Sequence, residues 1–383
     1  MWVNGSENRN ANESEDAKGC IVIPFNPSLP FTPLKTNTSV FPPPPPPPPP
    51  SQHQTMSSSA LLPFLLLFPL ALATPLNTDF YAKTCPNFRK IVQEVVTDKQ
   101  LTVPTTAAGS LRLFFHDCVV GGCDASLLIS ASQMSPSSER DHDINHSLPG
   151  DAFDVVIRAK LKLELECPGV VSCSDILAEA TRDLITMVGG PFYPVPLGRR
   201  DSLDAHAGDV EGHIARPNMS LTQIIDIFGA KGFSVQEMVA LTGAHTIGFS
   251  HCSEFANRIF NFSPTQDHDP TMNPDYVAGL RKLCANYQKD STMAAFNDPM
   301  SPGKFDNTYY VNLQNGLGLL ASDQIMATDP RTKPFVDAYA KDQKKFFEDF
   351  AKAMEKVSLL EVKTGDKGEV RKRCDTPNAS KTN

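Results

Sequence analysis

The chain has 383 residues, 40% hydrophobic and 20% charged, with a formal net charge of −8. That balance suits a globular protein, and its sign argues against a general nucleic-acid binder. Apart from one apolar run near residue 65, no stretch is long and apolar enough to suggest a membrane span.

The first part of the chain cannot build a core. Residues 1–55 are polar and then proline-rich, with nine consecutive prolines at Pro42–Pro50 that favour extended polyproline II. They read as a disordered extension. Residues 56–73 hold the apolar run Leu61–Leu72 and a small-x-small site, Ala71-Leu72-Ala73, which together read as a secretory signal peptide. No positive charge precedes the run and it is not N-terminal; a start of translation or processing at Met56 accounts for the second point. Pro63 and Pro69 argue against a signal-anchor. The folded domain is then expected over 74–383.

Within that domain the strongest signals are helical, and the expected fold class is mostly α. Leu111–Ser126 reads "LRLFFHDCVVGGCDAS". Leu111, Leu113, Phe114 and Phe115 suggest a buried helix, on which Arg112 and His116 share a face one turn apart. Two such groups on an apolar helix are costly unless something anionic or reactive lies opposite. Asp117, Asp124 and Ser126, with the carbonyls of a turn curled by Gly121 and Gly122, read either as hard oxygen ligands for Ca²⁺ or as a capped turn that needs no metal. Further on, "VSCSDILAEATRDLITMVGG" has serines ahead of an amphipathic run and a Gly-Gly stop. "SVQEMVALTG" opens with a capping-box pair, Ser234 and Glu237, and is expected to end at Gly243. "PFVDAYAKDQKKFFEDFAKAMEKVS" reads as one long amphipathic helix with Pro334 near its start.

Eight of the nine cysteines lie in the domain, an even number that suggests four disulfides but leaves the pairing open. None forms a CxxC pair with zinc-site spacing. Most histidines lie in polar surroundings. His116 and His245 stand apart, the latter in "ALTGAHTIGFSHC" just after a helix end, although either alone would pass for a satisfied core histidine.

At these residues the sequence resembles the class III, or secretory plant-type, haem peroxidases. The matching segments run in family order from "FYAKTCP" to "RKRCD": "LRLFFHDCVVGGCDAS", "VSCSDIL", "GGPFYPVPLGRRDS", "VALTGAHTIG", "KFDNTYY" and "GLLASDQ". The resemblance implies a mostly helical fold of two lobes with haem b between them, four disulfides and two calcium ions. It implies His245 as the axial ligand of the iron, with Asp323 behind it, and His116, Arg112 and Asn145 as the peroxide-cleaving set on the opposite face. One calcium would take Asp117, Val120, Gly122, Asp124 and Ser126, with Glu139 through water. The other would take Thr246, Asp298, Ser301, Lys304 and Asp306. The implied disulfides are Cys85–Cys167, Cys118–Cys123, Cys173–Cys374 and Cys252–Cys284.

The implied activity is reduction of H₂O₂ with one-electron oxidation of small phenolic reductants, by a secreted monomer of the cell wall or vacuole with no nucleic-acid or membrane partner. A non-catalytic extracellular binding protein on the same scaffold is the alternative, but it predicts decay of Arg112, His116, Asn145 or His245, and none has decayed. A hydrolytic metal held by His116 and Asp117 would leave Arg112 without purpose. Departures cluster at the substrate edge. Ala215 stands where the family usually has proline and only Pro217 remains, Tyr193 replaces a tryptophan, and "SLPGDAF" replaces an arginine-containing segment. The adjacent Arg216 reads either as favouring acidic phenolics or as a solvated surface charge. Asn145 begins an N-x-S sequon but is expected buried and unglycosylated, with Asn218, Asn261 and Asn378 the better acceptors if exposed.

Overall fold

The structure is a computed structural model that describes residues 75–131 and 137–378. The extension and signal-peptide expectations, residues 1–55 and 56–73, lie outside the described residues. The described chain is mostly α, as expected, with twelve helices and one two-stranded antiparallel ribbon.

Four long helices come first: α1 (Phe88–Thr102), α2 (Thr106–Val120), α3 (Gly150–Glu166) and α4 (Cys173–Met187). α2 is the hub and packs against α3 and α4, while α1 covers those two from the other side. Such a position requires a helix apolar almost all round, and twelve of the fifteen residues of α2 are buried. α4 starts where the sequence signals, because the Ser172 hydroxyl accepts from the Asp175 amide at 3.2 Å.

Shorter elements follow: α5 (Leu221–Ala230), α6 (Val235–Thr242), β1 (Phe249–His251), α7 (Ala256–Ile259), α8 (Pro274–Leu283) and β2 (Ala294–Phe296). The last part carries α9 (Thr308–Gln314), α10 (Ala321–Gln324), α11 (Lys333–Lys341) and α12 (Gln343–Val357). Strand β1 pairs with β2, Phe249 opposite Phe296. Cys252, Phe255, Ile259, Val277, Leu280 and Cys284 form a satellite core beside the main one.

The long helix expected at the C-terminal end is two helices. Asp342 adopts extended dihedrals, φ −139° and ψ 96°, and its carboxylate caps α12 by accepting from the Lys345 amide at 3.1 Å. An aspartate in mid-pattern competes for backbone donors, which the apolar periodicity does not reveal. α6 ends as expected, with Gly243 at its C-cap, and the chain continues directly into a 3-10 turn, Gly243–Thr246. Glycine is required there because a Cβ would overlap the Tyr310 hydroxyl and the Phe346 ring.

All four implied disulfides are present, with Cα–Cα separations of 5.7 Å for Cys85–Cys167, 4.0 Å for Cys118–Cys123, 5.6 Å for Cys173–Cys374 and 5.7 Å for Cys252–Cys284. The third ties the start of α4 to the last described segment, 201 residues away.

Candidate active site

Leu111, Leu113 and Phe114 are buried in the core and set the rotation of α2. Arg112 and His116 therefore leave the helix together, one turn apart. His116 Nδ1 lies 2.7 Å from Asn145 Oδ1. The Asn145 amide has only one workable orientation, since its Nδ2 donates at 2.8 Å to the Glu139 carbonyl, which can only accept. Nδ1 of His116 thus carries the proton, and Nε2 keeps its lone pair with no hydrogen-bond partner among the described residues. Burial, with the Arg112 charge adding to it, pushes the His116 pKa down to about 3, so the ring is neutral at physiological pH.

Arg112 donates to the Ile144 carbonyl at 2.8 Å and to the Ser147 hydroxyl at 2.9 Å. The short segment 144–147 therefore holds both functional side chains of α2. Burial lowers the Arg112 pKa to about 10, with the Glu254 carboxylate opposing, and the guanidinium remains cationic.

The second histidine is presented by α6. Ser234 and Glu237 form the expected capping box, with the Ser234 amide donating to the Glu237 carboxylate at 2.7 Å and the Glu237 amide to the Ser234 hydroxyl at 3.2 Å. His245 sits in the 3-10 turn beyond, between buried Gly243 and Thr246, yet its own side chain is 38% exposed. Its Nδ1 is 3.1 Å from each carboxylate oxygen of Asp323 on α10, itself buried. Burial alone would lower the His245 pKa, but the Asp323 charge outweighs it and holds the pKa above the ordinary value, against a counter-pull from Arg112. Arg112 thus acts electrostatically on both imidazoles. The two elements also touch: a Cβ at Gly248, φ +88°, would lie 3.1 Å from Ala108 Cβ on α2. Neither imidazole has a hydrogen-bond partner on Nε2 among the described residues.

Two oxygen-rich clusters flank these histidines. In the first, Asp117, Asp124 and Glu139 are all buried, and burial with mutual repulsion raises the Asp117 pKa well above the usual carboxylate range. Burial first, then the Asp124 charge, pushes Glu139 up to about 7. Ser126 Oγ and Glu139 Oε2 are buried without a hydrogen bond of ordinary geometry, although Ser126 lies close enough to Glu139 to oppose its raised pKa, and Gly122 takes a φ of +99°. Two lysines reach this cluster: Lys363 Nζ pairs with Asp124, and Lys231 Nζ donates to the Val120 carbonyl at 3.3 Å. Neither is foreseeable from sequence, because each meets its partner from more than a hundred residues away.

In the second cluster the Ser301 hydroxyl lies 3.1 Å from carboxylate oxygens of both Asp298 and Asp306. One hydroxyl proton cannot serve two carboxylates at once. The Thr246 hydroxyl is 3.4 Å from the Lys304 carbonyl and from the Asp306 amide, and Lys304 Nζ pairs with Asp306 at 3.0 Å. Among the described residues no three His, Cys, Asp or Glu side chains converge as a metal cluster, so carbonyls and hydroxyls would have to complete either set.

Ala215 and Pro217, expected at the substrate edge, are half-buried. Arg216 is engaged: it pairs with Asp143 through both terminal nitrogens, at 2.8 and 3.1 Å, with Glu211 3.7 Å away. It is thus neither a lone solvated charge nor a free anchor for acidic donors. Tyr193 is buried with its hydroxyl unpartnered. The Asn145 amide is buried, with both its oxygen and its nitrogen engaged. Asn218 and Asn261 are exposed, whereas Asn378 is half-buried and donates to the Val370 carbonyl at 2.9 Å.

A helical fold that brings two imidazoles within the field of one arginine, one tied to an amide and the other to a carboxylate, suits a metal-centred group held by one of them. Comparison with known proteins specifies it further. Residues 89–342 match the peroxidase family. Peroxidase 6 of Arabidopsis thaliana is 60% identical over 324 residues, 84% of this chain and 99% of that protein. Peroxidase 65 of the same plant is 56% identical over 321 residues (82% and 95%), and Peroxidase 41 is 58% identical over 300 (78% and 90%). This chain belongs to the peroxidase family, as its class III motifs implied.

Proposed function

We propose that the chain is a secreted haem peroxidase that reduces hydrogen peroxide and oxidises small phenolic donors in one-electron steps. The observation that carries the reading is the pair of imidazoles, each with Nδ1 occupied and Nε2 free. The residues fit haem. A carboxylate behind Nδ1 is the usual partner of a metal-binding histidine, and the exposed Nε2 of His245 is left as the donor. Haem supplies an iron and a conjugated ring able to take two oxidising equivalents from one peroxide and release them singly.

The chain's own residues do the rest. His245 Nε2 would hold the iron, and Asp323, accepting the Nδ1 proton in a hydrogen bond, would strengthen it as a donor. His116 Nε2 takes a proton from peroxide and returns it to the departing oxygen, as base and then acid. That role requires a neutral ring with its lone pair on Nε2, which the Asn145 hydrogen bond and the lowered pKa provide. Arg112, cationic and already buried, stabilises negative charge as the O–O bond breaks.

The two oxygen clusters suit Ca²⁺, one ion each. In the first, a cation would relieve the repulsion among Asp117, Asp124 and Glu139 and satisfy the buried Ser126 hydroxyl, with the Val120 and Gly122 carbonyls completing the set. In the second, it would settle the competition of Asp298 and Asp306 for Ser301, with Thr246 and Lys304 contributing.

Secretion rests on the signal-like run at 56–73 and the plant relatives. Since 84% of this chain covers 99% of Peroxidase 6, the chain carries residues with no counterpart there, which fits a domain over 74–383 behind an extension. Among the described residues no helix is long and apolar enough to cross a membrane.

The test is an absorption spectrum and a guaiacol assay on protein purified with haem and calcium. A Soret band with H₂O₂-dependent guaiacol oxidation is expected, and His245→Ala should lose both. Absence of haem from the purified wild type overturns the reading.

A further inference from the structure

The only tryptophan in the sequence is Trp2, so the domain holds no indole to accept oxidising equivalents from a peroxidase centre. It does hold a run of tyrosines that starts at His245. The Tyr309 ring meets His245 edge-on, centroids 6.3 Å apart. Tyr310 follows at 5.1 Å and Tyr339 at a further 5.1 Å. All three are buried. Their order in space follows from sequence: adjacent tyrosines at the start of α9 lie on neighbouring faces of that helix, and α11 packs against α9 to bring Tyr339 alongside.

The three phenols are not equivalent. Tyr309 Oη makes no hydrogen bond of ordinary geometry, although the nearby Asp323 carboxylate, after burial, helps raise its pKa, and Tyr310 Oη donates at 2.8 Å to the Val239 carbonyl, which cannot keep a proton. Tyr339 Oη donates at 2.9 Å to Asp349 Oδ2, a carboxylate whose side chain reaches solvent at 16% exposure. A buried phenol loses an electron readily only if its proton leaves at the same time, because a buried phenolic cation is costly. Of the three, Tyr339 is the one whose phenol donates a hydrogen bond of ordinary length to a carboxylate. Gln236 at 2.8 Å and Lys345 at 3.2 Å bind the same carboxylate oxygen and fix it in place.

We infer that Tyr339, with Asp349 as its proton acceptor, is an internal one-electron store for the haem site, reached through Tyr309 and Tyr310. The inference rests on the peroxidase reading above. Cleavage of one H₂O₂ releases one water and leaves the second oxygen and two oxidising equivalents in the haem site; that oxygen leaves as the second water once two electrons and two protons have been delivered. One electron then passes from Tyr339 through Tyr310 and Tyr309 to that site. The Tyr339 Oη proton moves to Asp349 Oδ2, leaving a neutral phenoxyl radical, a carboxylic acid and one oxidising equivalent at the haem. When a phenolic donor supplies an electron, it returns along the same path and Asp349 gives the proton back. When donors are scarce, the oxidising equivalent rests on a defined buried ring and spares His116 and Arg112.

The experiment treats haem-loaded protein with one equivalent of H₂O₂ and no donor, followed by freeze-quench electron paramagnetic resonance on protein grown with ordinary or ring-deuterated tyrosine. Wild type should give a tyrosyl signal that narrows on deuteration. Tyr339→Phe and Tyr309→Phe keep the ring packing and should each abolish it, with Soret band and peroxide consumption unchanged, while Tyr193→Phe should leave it intact. No tyrosyl signal in haem-loaded, peroxide-consuming wild type overturns the store. So does a signal unaltered in Tyr339→Phe, or one lost in Tyr193→Phe. Protein that takes up no haem or consumes no peroxide overturns the peroxidase reading itself, and the store with it.

Discussion

His116 and Arg112 share a protonation problem as well as a helix face. With the His116 pKa at about 3, the rate of reaction with peroxide should hold level down to roughly that pH and fall below it. Arg112→Leu removes a charge that depresses this pKa, so stopped-flow profiles should show the acid limb moving to higher pH and the plateau dropping about 10²–10³-fold. The same shift sets a stability slope. The unfolded imidazole protonates near pH 6.5 and the folded one near 3, so this contribution is complete above about 6.5 and is lost as the pH falls between those values. At the other imidazole, Asp323→Asn weakens the backing of His245, and haem transfer to an apoglobin acceptor should show retention reduced about 10–100-fold. At this scale the sequence was highly legible, because Arg112 and His116 sit within one helical turn and their motif is distinctive. Arg216 was not. Its two readings turned on a partner, Asp143, that no local pattern pairs with it. The lysines on Asp124 and Val120 were hidden for the same reason.

At the scale of elements, capping chemistry placed the starts of α4 and α6 correctly, since Ser172 and Ser234 stand directly before apolar periodic runs. The break between α11 and α12 escaped because the apolar stripe continues through it while a single aspartate changes the backbone. Asp342→Ala should cost about 0.5–2 kcal/mol, measured as a lower urea midpoint at unchanged slope. Gly243 is the sharper case. It ends α6 as expected, but its spacing in sequence does not reveal the close approach by Tyr310 and Phe346, which press on the turn that carries His245. Gly243→Ala should destabilise by about 1–3 kcal/mol. It should also broaden or shift the Soret band, whereas Asp342→Ala should leave that band alone.

At the scale of the molecule, the disulfides and the oxygen clusters bind segments that the helices alone leave apart. Cys173–Cys374 closes the longest loop, and a double serine variant should lose about 2–5 kcal/mol, read by denaturant unfolding. Calcium chelation should lower the melting temperature of the haem-loaded protein. Restored calcium should raise it in a concentration-dependent way, about 2.7 kcal/mol at a hundredfold excess over Kd. The even cysteine count showed that four bridges were available, but the pairing came only from the family resemblance, since spacing cannot say which distant cysteines meet. The mostly helical class was readable from periodicity. The approach of α2 to the turn after α6 was not, because it depends on contacts such as Ala108 with Gly248, far apart in sequence.

Two imidazoles divide the labour and differ in what stands behind them, an amide for His116 and a carboxylate for His245. The bimolecular rate of H₂O₂ reaction in haem-loaded His116→Leu tests that division. A full Soret band with the rate reduced about 10²–10⁴-fold is expected. A rate equal to wild type at full haem content would contradict the assignment of proton transfer to His116 Nε2.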